Sequence, residues 1–283
     1  MISGGSNHRC AVRGPTSIGP VVCWGSNVSG QATAPNTVNG TNGNGLAVAA
    51  GEDHSCAIRT NSNAVVCWGG NGSGQATPPP TVNGTAGSAT AIAAGNGHSC
   101  AIRSGTGAVV CWGANGSGES TPPPSVNGTS GSATAIAAGD DHSCAVRSGT
   151  GVVVCWGANG SGQAAPPGSV TAITGTASAI SASRFHSCAI QAYSHAVVCW
   201  GQNALAQSTP PPSVDGSSGG AAAIAAGGGH ALAIPTAVPE PGLSLSLASG
   251  SLLVAALRAR IRKRWSPESG AARRDGGEGG APT

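Results

Sequence analysis

The chain has 283 residues, of which 47 are glycine, 19 are proline and only 8% are charged, and it carries a net charge of +3. So much glycine and proline excludes a mainly helical protein. Up to residue 237 six Arg stand against six Asp or Glu, so the net +3 lies in the tail. A neutral body has no electrostatic footprint for nucleic acid.

The first pattern is His8-Arg-Cys10-Ala, a polar turn, then Val21-Val-Cys23-Trp-Gly25. It returns with the cysteine pairs Cys56/Cys67, Cys100/Cys111, Cys144/Cys155 and Cys188/Cys199, and from Cys56 to Cys100, Cys144 and Cys188 each step is 44 residues. A fixed period of that size is the mark of a repeat architecture. In the third copy His98-Ser-Cys-Ala-Ile-Arg103 and Ala108-Val-Val-Cys-Trp-Gly113 read as strands, with Ser104-Gly-Thr-Gly107 as the turn between them. Pairing Arg103 with Ala108 brings Cys100 opposite Cys111, within disulfide reach. Asn115-Gly-Ser-Gly118 is a turn, Pro122-Pro-Pro124 excludes a central strand, and Thr134-Ala-Ile-Ala-Ala138 reads as another strand before Gly139. About four short strands per unit fit a propeller blade. After the fifth copy a sixth opens at Gly227-Gly-Gly-His230-Ala-Leu-Ala-Ile234, with Leu232 where the first cysteine would be and no second cysteine.

Zinc sites usually show four ligands with Cys-x-x-Cys or His-x3-His spacing, and neither spacing occurs, so all ten cysteines are expected in disulfides within repeats and no metal or other cofactor is expected. The repeated Trp24, Trp68, Trp112, Trp156 and Trp200 are expected to pack between blades of small residues rather than to stack on carbohydrate. His8, His54, His98, His142, His186 and His230 have no acid or nucleophile in repeated register, and Ser55, Ser99, Ser143 and Ser187 point to the opposite strand face. Buried imidazoles bonded to backbone are therefore expected, not catalysis. Asn71, Asn83, Asn115, Asn127 and Asn159 match the glycosylation sequon but stand where turns are needed. The two residues before each His differ between copies, and Glu52, Asp53, Asp140, Asp141, Arg184 and Phe185 among them form the candidate binding face.

The phrase Ala93 to Ile102 followed by Val110 to Gly118, with Gln75 and Gln163 completing a Gly-Gln end, resembles the regulator-of-chromosome-condensation repeat family over about residues 1–234. The resemblance implies an all-β propeller, typically of seven blades; here five complete hairpin repeats and a partial sixth are present. The neutral body argues against carrying over that family's chromatin binding and nucleotide exchange. Gly5-Ser-Asn-His8 aligns with Gly51-Glu-Asp-His54, which places Ile2 in mid-strand, so Met1 is expected not to be the natural start, with a signal peptide and further blades upstream.

From Ala237 the text changes to Val238-Pro239-Glu240-Pro241, the apolar run 242–257, and a basic cluster of Arg258, Arg260, Arg262, Lys263 and Arg264. That order resembles the PEP-CTERM sorting signal, which implies one short hydrophobic helix, transient anchoring in the inner membrane and processing by an exosortase-type enzyme. The divisions are then a propeller over 1–236, a sorting segment over 237–264, and a Gly-rich disordered tail over 265–283. The expected function is an exported bacterial cell-surface or extracellular-matrix binding module, non-catalytic, with an extracellular protein or polysaccharide as partner and no nucleic acid. The alternative is a secreted regulator of an extracellular enzyme, since secreted relatives in the family resembled include an inhibitor of β-lactamases.

Overall fold

Each copy of the repeat folds into one small antiparallel sheet, because its β-branched and cysteine-containing stretches are short and are cut by Gly-rich turns. The computed structural model describes residues 1–15, 18–172 and 176–236. The first sheet holds β1 (Ile2–Gly4), β2 (His8–Val12) and β3 (Val21–Gly25); the second β4 (Gly45–Ala50), β5 (His54–Arg59) and β6 (Val65–Gly69). The third holds β7 (Ala89–Ala94), β8 (His98–Arg103) and β9 (Val109–Gly113); the fourth β10 (Ala133–Ala138), β11 (His142–Arg147) and β12 (Val153–Gly157). After the one-turn helix α1 (Gly168–Thr171) come β13 (Ala177–Ala182), β14 (His186–Gln191) and β15 (Val197–Gly201). The sixth sheet has two described strands, β16 (Ala221–Ala226) and β17 (Ala231–Pro235). This is an all-β propeller of repeated blades, with the first strand of each sheet, Ala-rich in all but the first, lining the central cavity.

The hairpin register is the one the spacing dictates: Cys100 faces Cys111 and Ser99 faces Trp112, and Arg103 N–H donates to the Ala108 carbonyl at 2.9 Å. Blades have three strands, not the expected four. The Pro-rich return segment cannot donate a full ladder. In the first, second, third and fifth blades it bonds the outer strand at one point, such as Val109 N–H to the Val126 carbonyl at 2.9 Å. That segment instead drives one valine into the core: Val38, Val82, Val126, Val170 and Val214 are all buried.

The cores lie between blades. One cluster joins Cys56, Ile58, Val65 and Val82 of the second blade to Ala89, Ala101 and Trp112 of the third, and the pattern recurs at the neighbouring interfaces. Trp68, Trp112, Trp156 and Trp200 are 7–9% exposed, as packing residues should be, whereas Trp24 is 48% exposed. Trp24 has no described blade on its side to receive it. Among the described residues no helix is long and apolar enough to cross a membrane. The chain divides into two units, Met1–Val238 and Pro239–Thr283. The expected C-terminal helix and the sorting residues Val238, Pro239, Glu240, Pro241, Arg258, Arg260, Arg262, Lys263 and Arg264 lie outside the described residues.

Candidate functional site

All ten cysteines are oxidised within their own repeats, as Cys10–Cys23, Cys56–Cys67, Cys100–Cys111, Cys144–Cys155 and Cys188–Cys199. The cross-link closes a loop of 11 residues in blades two to five, which restricts the unfolded chain by about 2–3 kcal/mol each. Rigidity therefore comes from many small staples and leaves the loops between strands free to vary.

Four of the six repeated histidines, His8, His54, His98 and His142, do not bond backbone through Nε2 as expected; they join one blade to the next. Within a strand His and Ser point to opposite faces, but stacked blades bring the His face of one against the Ser face of its neighbour. His98 Nε2 lies 2.8 Å from Ser143 Oγ, Ser143 donates to the Glu119 carbonyl at 3.1 Å, and the Trp156 indole donates to the same carbonyl at 2.8 Å. His8–Ser55, His54–Ser99 and His142–Ser187 repeat the arrangement at 2.8–2.9 Å. Because each Ser hydroxyl is spent on a carbonyl, the imidazole supplies the Nε2–H. Nδ1 of His8, His54, His98 and His142 is buried and has no hydrogen-bond partner among the described residues. Burial accordingly holds His54, His98 and His142 at a pKa of about 4, and it lowers His8 and His186 too. These His–Ser pairs are sealed in the interfaces, with no room for a substrate, so they are structural.

The imidazole also explains the glycine three residues before it. A Cβ on Gly51 would sit 2.4 Å from His54 Cε1 and 2.5 Å from the Gly95 carbonyl. The backbone there passes between the ring and the next blade, which favours glycine in five of the six blades. Gly5, Gly51, Gly95, Gly139 and Gly227 thus form a uniform collar, with Ser183 in the fifth blade, whose hydroxyl donates to the Gly227 carbonyl.

Directly after the collar comes the part that is not uniform. A cavity of about 650 Å³ runs along the axis, lined by residues of all six blades. Ser6, Glu52, Asn96, Asp140, Arg184 and Gly228, one from each blade, ring its mouth. Of the sequence candidates, Glu52, Asp140 and Arg184 line this cavity. Asp53, Asp141 and Phe185 do not: their carbonyls accept from Gly70, Ala158 and Gln202 and tie down the next loop. Arg184 pairs with Asp140 at 3.2 Å across two blades, and its guanidinium stands 5.0 Å over the Phe185 ring. Burial raises the Asp140 carboxyl, with Arg184 pulling the other way. Arg9 also lines the cavity; it lies on β2 rather than in the variable dipeptide, so the repeat alignment did not single it out. Among the described residues no group of three His, Cys, Asp or Glu side chains could hold a metal ion. The sequon asparagines sit in turns, as Asn71 does by accepting from Ala76 N–H at 2.8 Å and donating to Thr77 at 2.9 Å.

Three segments, 46–75, 89–119 and 133–163, match the family model described as Regulator of chromosome condensation (RCC1) repeat. No match is found among curated proteins. Among solved structures, the entire ectodomain of the receptor kinase CR4 from Physcomitrella patens is 24% identical, with a TM-score of 0.62 over 84% of this chain and 59% of that one. The ectodomain of the Arabidopsis thaliana receptor kinase ACR4 is 20% identical, with a TM-score of 0.53 over 83% of this chain and 92% of that one. Prp20p from Saccharomyces cerevisiae, described with its binding to Gsp1p and histones, is 18% identical, with a TM-score of 0.54 over 84% of this chain and 65% of that one. At such identities the likeness is one of fold. The chain spans 59% of the length of the CR4 ectodomain.

Proposed function

We propose that this chain is an exported, non-catalytic binding module whose recognition surface is the mouth of the axial cavity. The observation that carries the reading is the contrast at that mouth: a collar of near-identical glycines, then six positions that differ from blade to blade. Loops that vary on a rigid, uniform scaffold are where binding specificity is placed. Five disulfides support an oxidising compartment. The likeness to two receptor kinase ectodomains agrees with that address. The order Pro-Glu-Pro, apolar run and basic cluster from Val238 to Arg264 supports a bacterial surface or matrix protein processed by an exosortase-type enzyme. The ligand is then an extracellular protein or polysaccharide.

A second reading is a secreted regulator of an extracellular enzyme. It is favoured by the Asp140–Arg184 pair beside Phe185, since an aromatic ring with a guanidinium over it is typical of protein–protein anchors. Surface labelling of intact cells followed by affinity capture from envelope and culture fractions tests both readings. A labelled protein that retains polysaccharide supports the matrix module, and one stoichiometric protein partner supports the regulator. A protein that stays unlabelled and is recovered with free thiols from the cytoplasm contradicts both.

A further inference from the structure

The propeller is neutral only in sum, because its charges are sorted to opposite ends. In blades one to five the middle strand starts at its histidine, beside the axial mouth, and runs about 17 Å to Arg13, Arg59, Arg103, Arg147 or Gln191. Four carboxylates stand at the mouth end, in the two residues before a histidine: Glu52, Asp53, Asp140 and Asp141. Glu119 joins them from the loop that leaves Gly113, which faces His98. Arg9 and Arg184 oppose these five, so the mouth end is net negative by three. The far end carries Arg13, Arg59, Arg103 and Arg147 against Asp215, and is net positive by three. Asp215 belongs there because it follows Val214, whose carbonyl accepts from Val197 opposite Ile190.

Nothing at that end neutralises the arginines. Among the described residues the four have no acidic partner; Asp215 is bonded by Ser217 instead. Arg147 Nε donates to the Ser125 carbonyl at 3.2 Å, and the buried Nε of Arg103 has no partner among the described residues. The turn of blade five on the same end holds Tyr193 out at 84% exposure. The described chain also leaves here. Thr236 N–H donates to the Gly220 carbonyl at 2.8 Å, and Ala221 N–H donates to His195 of that turn at 2.7 Å. The segment from Val238 to Arg264 therefore starts two residues from the basic end. From residue 237 onward seven Lys or Arg stand against four Asp or Glu, so the tail has the same sign as this end and cannot serve as its counter-charge.

We propose that the far end of the propeller docks on an anionic phospholipid surface, with the four arginines at the headgroup phosphates and Tyr193 seated among them. One cation per blade, spread over four blades, matches a plane of phosphates better than a single compact ligand. Arginines near such a surface add their attractions, and salt screens them. A tyrosine ring, apolar in its body and polar at its tip, suits the headgroup layer. Docking by this end turns the acidic mouth away from the lipid, where a ligand can reach it. The proposal rests on reading Val238 to Arg264 as a membrane-directed segment, since that segment leaves from the arginine end.

The test uses the full chain with Arg258, Arg260, Arg262, Lys263 and Arg264 changed to glutamine, so that the tail's charge does not mask the face. Vesicles of phosphatidylglycerol and phosphatidylcholine in equal parts are the probe, read by flotation against pure phosphatidylcholine. Tighter binding to the anionic vesicles is expected, weakened at least about tenfold by Arg13→Gln, Arg59→Gln, Arg103→Gln and Arg147→Gln together, and kept by the four Arg→Lys changes. If the glutamine variant melts early, Arg13→Glu with Tyr193→Ser, both at exposed positions, takes its place. Hydrogen exchange on the vesicles should slow at the turns 60–63, 104–107, 148–151 and 192–195 and not at the mouth loops 70–75 and 114–119. Equal flotation of parent and variant, slowing at the mouth loops instead, or retention by heparin or duplex DNA without affinity for the anionic vesicles overturns the proposal. Restoring the five basic tail residues reads the tail separately: no gain in flotation counts against the membrane-directed segment, while the arginine variants alone judge this face.

Discussion

Acidification should unfold this propeller through its histidines, and the size of the effect can be worked from their burial. His54, His98 and His142 have a pKa of about 4 in the folded protein against 6.5 when exposed. Between those values the unfolded chain binds protons that the folded chain refuses, so stability falls as pH falls. The loss begins near the unfolded value of 6.5 and is complete below about 4. At 1.36 kcal/mol per pKa unit each histidine withdraws about 3 kcal/mol, and the three together about 10. That is comparable with the whole stability of an ordinary domain. His8 and His186 shift in the same direction, while Asp140, raised by burial, opposes them in part. Guanidinium unfolding followed by circular dichroism, without reductant, should show midpoints that drop steadily from about pH 7 to about pH 4. His98→Gln should remove about one third of the slope. A midpoint that stays level across that interval would refute the neutral, buried imidazoles on which the interface argument rests.

Other consequences follow from the same contacts. Ser143→Ala strips the partner from His98 and one donor from the Glu119 carbonyl, and should cost about 1–3 kcal/mol in denaturant unfolding. Ala231→Ser is its mirror image: a hydroxyl there can reach His186 and the Gln207 carbonyl, and should add about 1 kcal/mol in the same assay. Trp112→Ala should cost about 3–5 kcal/mol, while Trp24→Ala, on a half-exposed ring, should cost under about 1 kcal/mol in thermal melts. Thiol titration of the native protein should find no free cysteine among the ten, and reduction should lower the melting temperature by well over about 10 °C.

The hairpins were legible because two independent signals agree in each repeat. The turn Ser104 to Gly107 sets a register, and that register puts Cys100 against Cys111. What the sequence concealed is whatever depends on stacking one blade on the next. His98 and Ser143 are 45 residues apart, and strand alternation within either repeat only says that His and Ser diverge. The valine plug escaped for a different reason. Val82, Val126, Val170 and Val214 recur at the repeat period, but a lone apolar residue among Pro, Thr and Asn has no local periodicity to mark it. The count of about four strands came from the length of the repeat, but the Pro-rich segment left over cannot form a ladder. At the mouth, the alignment found the variable dipeptide but could not tell which member turns inward. Glu52 and Asp140 do; Asp53 and Asp141 spend their carbonyls on the following loop.

We read the ring of unlike residues around the axial cavity as the recognition surface. The most direct test is affinity capture from the culture and envelope fractions, run side by side with the wild-type chain and a Glu52→Ala, Asp140→Ala, Arg184→Ala triple variant. All three side chains project from loops outside the interblade cores, so the variant should keep the wild-type melt. The prediction is a specific ligand that the wild type retains and the variant loses. Equal recovery of that ligand by both proteins would contradict the claim.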